Sequence, residues 1–324
     1  MKIAVTGATG FVGQNLCRHL DQQGHTVIPL ARSVAQLPAE FSHLSAKDAD
    51  VTSLDSLKSA LEGVDVCINL AALFNHPDKS FDEYRAVNVQ GVSNVLIAAQ
   101  SVGVKRVIHC STVGIAAGGS MPYSEDSPYC PPEWDKYETT KCDGEKAALA
   151  FYETEKYPLV IIRPAQVYGP GDVSKIKFYK MVKKGVIVNP GNTFKHLIYI
   201  DDLCRSFEAA LTNDDVIGKA IIIAGKEPTP LKELIQIVAT QLGVKTPGIV
   251  IPAIPMTLFA TVVEWAFGLI DKKPPIFRRS MDFFTKSVRF KTNRMENELK
   301  FEPTVSAEEG VKQTAEWYRK EGLI

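Results

Sequence analysis

The chain has 324 residues, 45% hydrophobic and 23% charged, a composition that excludes a disordered or fibrous protein and suits one large α/β domain with a smaller companion. Lysine plus arginine and aspartate plus glutamate both total 37, so no overall field attracts nucleic acid, and any anion must be met by a local site. The six cysteines, Cys17, Cys67, Cys110, Cys130, Cys142 and Cys204, lack CxxC or Cys/His metal spacing; they read as reduced core residues, with no metal site expected.

The first predicted element is a strand over Lys2–Thr6, which runs straight into a glycine motif and leaves no room for a signal peptide, so the cytoplasm is the expected address. Thr6-Gly7-Ala8-Thr9-Gly10-Phe11-Val12-Gly13 then opens a helix over Phe11–Gln23, with Leu16 and Leu20 on one face. Glycines at 7, 10 and 13 let the backbone turn tightly, approach a pyrophosphate and pack the helix on the strand, while the helix N-terminus faces the anion. A strand before and a helix after separate this motif from a chance glycine turn. Gly7, Thr9, Gly10, Phe11, Val12 and Gly13 are therefore candidate cofactor-binding positions.

A second strand, Thr26–Ala31, ends at Arg32 and Ser33, where a dinucleotide fold brings the adenine ribose close. Arginine there suits a 2′-phosphate by charge and forked geometry, whereas an acidic residue would accept from a 2′-hydroxyl. NADP(H) is favoured, with NAD(H) the alternative.

Strands over Val64–Leu70, Arg106–Cys110 and Leu159–Arg163 follow, alternating with long helices over Phe81–Val102 and Tyr137–Lys156. That rhythm predicts βαβ units and a parallel sheet. In the second long helix Tyr137 and Lys141 stand at i and i+4, on one face. The ammonium lowers the phenol pKa from ~10 toward the working range and is able to hold a nicotinamide ribose.

Beyond Pro164 the pattern changes. Tyr168-Gly169-Pro170-Gly171 acts as a breaker, Ile198–Ile200 and Ala220–Ala224 read as returning strands, and Leu231–Leu242, Met256–Ile270, Asn293–Lys300 and Ala307–Glu321 read as helices. The fold class is α/β: a Rossmann doubly wound parallel sheet with a smaller, mostly helical C-terminal substrate domain. Residues 1–169, with return strands within 190–225, form the nucleotide-binding domain; 170–189 and 226–324 form the other. The apolar run Ile254–Ile270 contains Glu264 and closes at Asp271-Lys272-Lys273, short of the ~20 residues that span a bilayer. A buried or substrate-facing helix is expected there, without membrane contact. With Pro274-Pro275-Ile276-Phe277 it is expected to line an apolar pocket.

The TGxxGxxG spacing resembles the short-chain dehydrogenase/reductase superfamily, and later segments resemble its extended branch. Asp50-Val51 resembles the family's adenine-contacting Asp, and Asn69-Leu70-Ala71-Ala72 the strand end that lies along the cofactor. Ser111-Thr112-Val113-Gly114 resembles its strand-end hydroxyl segment, with Thr112 in the catalytic position and Ser111 the alternative. Asn88 resembles the helix Asn that supports the lysine through water. Arg163-Pro164-Ala165-Gln166-Val167-Tyr168-Gly169-Pro170 resembles the RPxxvYGP stretch beside the nicotinamide, which brings in Pro164 and Val167, and Tyr199-Ile200-Asp201-Asp202-Leu203 resembles YvdDl.

The resemblance implies a hydride passing between nicotinamide C4 and a carbinol or carbonyl carbon, with Tyr137 moving the proton, Thr112 orienting the oxygen and Lys141 tuning the phenol. In pattern the chain is most similar to the 3β-hydroxysteroid dehydrogenase and dihydroflavonol reductase branch, which implies a small apolar substrate. The alternatives are a nucleotide-sugar epimerase or dehydratase with transient internal hydride transfer, and a cofactor-binding protein without catalysis. Sugar-processing relatives usually meet a pyrophosphate with an Arg before YvdD and an Asn before VYGP; the matching residues here are Lys195 and Gln166. A homodimer through Phe81–Val102 and Tyr137–Lys156 would also resemble the family.

Overall fold

Strands β1 (Lys2–Thr6), β2 (Thr26–Ala31), β3 (Lys47–Asp48), β4 (Val66–Asn69), β5 (Arg106–Cys110), β6 (Leu159–Pro164) and Ala220–Ile223 form one sheet. Their order is Ala220–Ile223, β6, β5, β4, β1, β2, β3, with every pair parallel. Ile3 faces Val27 on one side and Val66 on the other. The near-continuous Val, Ile and Leu of these strands follow from that arrangement, because a strand covered on both faces has no solvated side on which polar residues could alternate. This computed structural model describes residues 1–116, 119, 121–268 and 278–324.

Helices α1 (Phe11–Gln22), α2 (Leu54–Leu61), α3 (Phe81–Arg85), α4 (Gly91–Ser101) and α5 (Lys136–Glu155) cover the sheet. Leu57 and Leu61 of α2, Val92, Val95 and Leu96 of α4, and Val107, Leu159 and Ile161 of the strands share one buried cluster. Each such side chain contributes about 1.5–3 kcal/mol by leaving water. The single helix expected over Phe81–Val102 is interrupted by a π turn at Ala86–Gln90, where the Asn88 amide is bonded outside its own helix. The chain leaves β1 toward β2 on one side and later toward β4 on the other, so the carboxyl ends of β1 and β4 open at the switch point where open α/β sheets bind ligands.

The sheet belongs to a unit formed by Met1–Val167, Ile200–Ala224 and Phe290–Pro303. The last of these segments was expected in the C-terminal domain. It returns because Phe290 bridges Tyr123, Lys291 N donates to the Tyr123 carbonyl at 2.7 Å, and Arg294 pairs with Asp126 at 2.7 Å. Such pairings across the chain leave no trace in local periodicity.

The second unit comprises Tyr168–Tyr199, Gly225–Arg289 and Thr304–Ile324. It holds helices Ile176–Lys183, Leu231–Leu242, Ala253–Gly268, Arg278–Thr285 and Ala307–Lys320, with strand pairs Val186–Val188/Ile249–Ile251 and Phe194–Lys195/Thr229–Pro230. Tyr318 is fully buried; its hydroxyl donates to the Asp172 carbonyl at 2.5 Å and its ring meets Tyr179 edge-on at 4.9 Å. The helix expected to be buried or substrate-facing over Ile254–Ile270 proves largely open: Ile254, Leu258, Phe259, Val262 and Trp265 are all exposed. Its apolarity is uniform enough to predict a helix but not to say what covers it. Pro274–Phe277, and the end of that run at Leu269–Ile270, lie outside the described residues. No described helix is long and apolar enough to cross a membrane.

Candidate active site

Two glycines shape the turn after β1. Gly7 has φ +68°, and a Cβ there would lie 2.9 Å from Ala71 N and the Leu70 carbonyl; a Cβ on Gly13 would overlap the Gly7 carbonyl. The turn therefore packs backbone to backbone against the exit of β4 and the first turn of α1. Gly10 caps α1 without a side chain, and no acid lies in the helix's first turn. The free N–H groups and the positive end of the helix dipole there suit a pyrophosphate.

A chain of buried polar groups joins three strand ends beneath this turn. Thr6 Oγ1 accepts from Ala71 N at 3.1 Å and donates to Asn69 Oδ1 at 2.6 Å, while Asn69 Nδ2 lies 3.2 Å from His109 Nδ1. Burial first, then the Lys141 ammonium, push His109 well below the usual imidazole range, so it is neutral. With Asn69 as donor its proton sits on Nε2, which is buried without a partner among the described residues. Thr6 and His109 were not singled out from sequence. The available signal was a polar residue interrupting an apolar run in each of three neighbouring strands.

On the adenine side, Arg32 is exposed just past β2, and its charge reaches the Lys79 ammonium. Ser33 is half-buried beside it. Asp50 Oδ1 is engaged in a local turn, accepting from Thr52 N at 2.9 Å and Thr52 Oγ1 at 2.8 Å. Val51 is buried, its carbonyl held by Asn94 Nδ2 at 2.9 Å. Leu70 and Ala71 are half-buried and Ala72 is exposed.

Helix α5 begins at a buried cap: Asp135 Oδ1 accepts from Tyr137 N at 3.0 Å and Glu138 N at 3.3 Å, which fixes Tyr137 in the first turn. One turn later Lys141 is buried, and its Nζ donates to the Cys110 carbonyl at 2.6 Å. That bond fastens α5 to the end of β5, two residues before Thr112. Burial lowers the Lys141 pKa, with Cys110, Glu145 and Glu138 acting the other way. Thr112 is half-buried and its Oγ1 accepts from Gly114 N at 3.1 Å, whereas the alternative, Ser111, has a buried hydroxyl without a partner among the described residues. At the far side of α5, Arg163 of β6 pairs with Glu145 at 2.5 Å and donates to the Glu125 carbonyl at 2.9 Å, both side chains of the pair being buried. Pro164 ends β6 in the core, and Val167 is half-buried.

Asn88 accepts from Leu73 N at 2.7 Å and donates to the Leu73 carbonyl at 3.1 Å and to Thr140 Oγ1 at 2.9 Å. Its amide thus ties the segment after β4 to the residue preceding Lys141. Just past that anchor, Phe74 sets its ring edge-to-face on Tyr137, with centroids 4.7 Å apart, yet remains 52% exposed. Sequence reasoning missed Phe74, because a lone aromatic in a loop carries no period.

Lys195 is placed differently from a surface cation. It is 3% exposed, its Nζ donates to the Lys286 carbonyl at 2.6 Å and the Asp282 carbonyl at 3.4 Å, and it sits 5.0 Å from the Phe283 ring centroid. Burial pulls its pKa down to about 8, with Asp282 acting in the opposite sense. Gln166 is exposed. Among the described residues no cluster of three or more His, Cys, Asp or Glu side chains could hold a metal ion.

A parallel sheet with a glycine turn at its switch point, and a Tyr–Lys pair tethered to a neighbouring strand end, define an enzyme that works with a nicotinamide dinucleotide. A profile of the NAD dependent epimerase/dehydratase family matches residues 3–224, and the chain belongs to that family, within the extended short-chain dehydrogenase/reductases. It is 27% identical over 345 residues to 3beta-hydroxysteroid-dehydrogenase/decarboxylase isoform 1 of Arabidopsis thaliana, spanning 96% of this chain and 78% of that one. It is 27% identical over 331 residues to the 2-alkyl-3-oxoalkanoate reductase of Stenotrophomonas maltophilia, spanning 96% and 98%. The solved UDP-glucuronic acid 4-epimerase from Bacillus cereus in complex with NAD shares the fold, with a TM-score of 0.78 at 23% identity over 99% of both chains.

Proposed function

We propose that the protein is an NADP(H)-dependent reductase or dehydrogenase acting on the ketone or hydroxyl of a small apolar molecule. The observation that carries this reading is Phe74: a large, half-open aromatic ring against Tyr137 offers an apolar wall where the reacting carbon must come. Lys195 supports it, since an ammonium buried on two carbonyls is not available to a substrate pyrophosphate. Two relatives are named for a hydroxysteroid and an alkyl-oxoalkanoate.

The bound nicotinamide supplies or accepts the hydride. The glycine turn and the α1 N-terminus hold the pyrophosphate, Asp50 and Val51 serve the adenine side, and Leu70–Ala72, Pro164 and Val167 the side nearer the nicotinamide. The Tyr137 phenol gives or takes the proton at the substrate oxygen. Lys141, charged and desolvated one turn away, stabilises the phenolate more strongly than it would in water. Thr112 Oγ1 already accepts from Gly114 N, which leaves its hydrogen to donate to the same substrate oxygen. Asn88 positions the segment that carries Phe74.

Calorimetry with NADP(H) present tests the substrate class. Hydrophobic ketones should bind and UDP- or dTDP-sugars should not; micromolar binding of a UDP-sugar without response to the ketones would favour an epimerase or dehydratase. Arg32, with Lys79 near, supports the NADP(H) preference over NAD(H). Arg32→Asp should weaken NADPH by roughly 10- to 100-fold and NADH far less, the scale of a lost charge-assisted bond. Fluorescence titration that finds NADH already preferred by the unaltered protein would overturn the cofactor assignment.

A further inference from the structure

Two carboxylates of α5 flank the Lys141 ammonium, Glu138 at i−3 and Glu145 at i+4, both neighbours of the lysine on one helix face. They keep different company. Glu145 is fully buried, and its charge is answered by Arg163, which donates to Oε1 at 2.5 Å and to Oε2 at 3.1 Å, while the Tyr129 hydroxyl donates to the same Oε1 at 2.8 Å. Glu138 instead carries its carboxylate to the turn Val113–Ala116 and onto Gly114, where a Cβ would overlap both carboxylate oxygens. Gly114 is not among the glycines with positive φ, so what this glycine supplies is room for the carboxylate.

That seat completes the surroundings of the lysine. From β5 the Cys110 carbonyl accepts from Nζ at 2.6 Å, burial pushes the Cys110 thiol up to about 11, and His109 is neutral. From α5 come Tyr137, Glu138 and Glu145. Only the two glutamates of this set bring charge opposite to the ammonium at neutral pH, and one of them is bound to Arg163. Burial works against the ammonium, and the Glu138 charge works for it. A glutamate in a first helical turn can serve the helix dipole alone. Here the Asp135 carboxylate already takes the Tyr137 and Glu138 amides, and the Glu138 oxygens lie on Gly114, whose N–H donates to Thr112 Oγ1. Helix α5 therefore meets the segment 110–114 on either side of Thr112, with Lys141 at Cys110 and Glu138 at Gly114.

We propose that Glu138 is a positioning residue for the proton-moving pair: its carboxylate, seated on Gly114, is the counter-charge that holds the buried Lys141 ammonium on the Cys110 carbonyl, one turn from Tyr137. The inference rests on the proposed roles of Tyr137 and Lys141, and Glu138 acts through the lysine without touching substrate or cofactor.

Lysine labelled with carbon-13 at Cε lets the Lys141 ammonium be titrated by NMR in the full chain, with Lys141→Arg identifying its resonance. Glu138→Gln keeps the shape and removes the charge; Gly114→Ala keeps the charge and displaces the flexible end of the side chain. Each should lower the Lys141 midpoint, the first by about one pH unit, the scale on which a neighbouring opposite charge acts. The alkaline limb of kcat should move down with it, because the ammonium then loses its proton at lower pH. The double variant should match Glu138→Gln, since the glycine acts only through the carboxylate. The proposal fails if either single variant leaves the Lys141 midpoint in place, or if their shifts add in full. A lowered midpoint with an unmoved kcat limb would uphold Glu138 as the counter-charge and overturn instead the proposed role of Lys141 in turnover.

Discussion

Two buried lysines, one in each unit, are nearly alike in burial and differ in what surrounds them. Lys141 is 2% exposed and Lys195 3%, and burial lowers the pKa of both. Around Lys141 stand a phenol one helical turn away, a strand-end carbonyl and the neutral His109, all at the exits of strands whose positions the sheet fixes. Around Lys195 stand two carbonyls near the end of the helix Arg278–Thr285, the charge of Asp282 and an aromatic ring, so that lysine closes a helix terminus. A depressed lysine pKa therefore does not mark chemistry by itself; the groups facing the ammonium decide.

The sharpest way to break this contrast lies in the first region. Gly13→Val puts a branched side chain into the Gly7 carbonyl and should abolish measurable NADP(H) binding. Fluorescence titration showing affinity unchanged within about twofold, below the ~1–3 kcal/mol that overpacking costs, would mean that the close approach is not required. Next, Tyr137→Phe should lower turnover by on the order of 10²–10⁴ and leave cofactor affinity nearly unchanged, because in the proposed mechanism the phenol moves a proton while the glycine turn holds the pyrophosphate. Steady-state rates beside a binding titration check this; retained turnover would remove Tyr137 from the mechanism.

The smallest effect belongs to Lys195. Its folded pKa of about 8 lies below the ordinary 10.5, so the unfolded chain holds that proton more tightly. The cost of burying the charge is then fully present below pH 8, and stability rises with pH from 8 to 10.5, by at most about 3 kcal/mol. Lys195→Met should flatten that rise without altering turnover. Denaturant unfolding at several pH values in this window gives the comparison, and equal slopes in both proteins would contradict it.

Much of the first unit was legible in the sequence because its geometry restricts residue type. Only glycine fits where a Cβ at 7 or 13 would strike backbone, and only an i, i+4 pair puts Tyr137 and Lys141 on one face. The doubly covered strands announced themselves as short, mostly apolar runs rich in Val and Ile. What escaped depends on partners distant in the chain. The π turn at Ala86–Gln90 accompanies Asn88 reaching Leu73 and Thr140, the return of Phe290–Pro303 rests on pairings with Tyr123 and Asp126, and Phe74 gains meaning only once Tyr137 lies beside it. In the helix Ala253–Gly268 apolar residues are not confined to one side, so its sequence could not say which side faces water.

The Asp135 cap has a consequence for motion. Two amides of the first turn of α5, those of Tyr137 and Glu138, are satisfied by one buried carboxylate, so this end of the helix opens only when the cap lets go. Fraying should start instead from Lys156, where the helix ends in a left-handed residue. The phenol thus keeps its rotational phase through ordinary thermal fluctuation, and amide hydrogen exchange at Tyr137 becomes a clock for disassembly of the site: slow while the cap holds, and fast in any variant or partly opened state in which the Asp135 carboxylate has left its place.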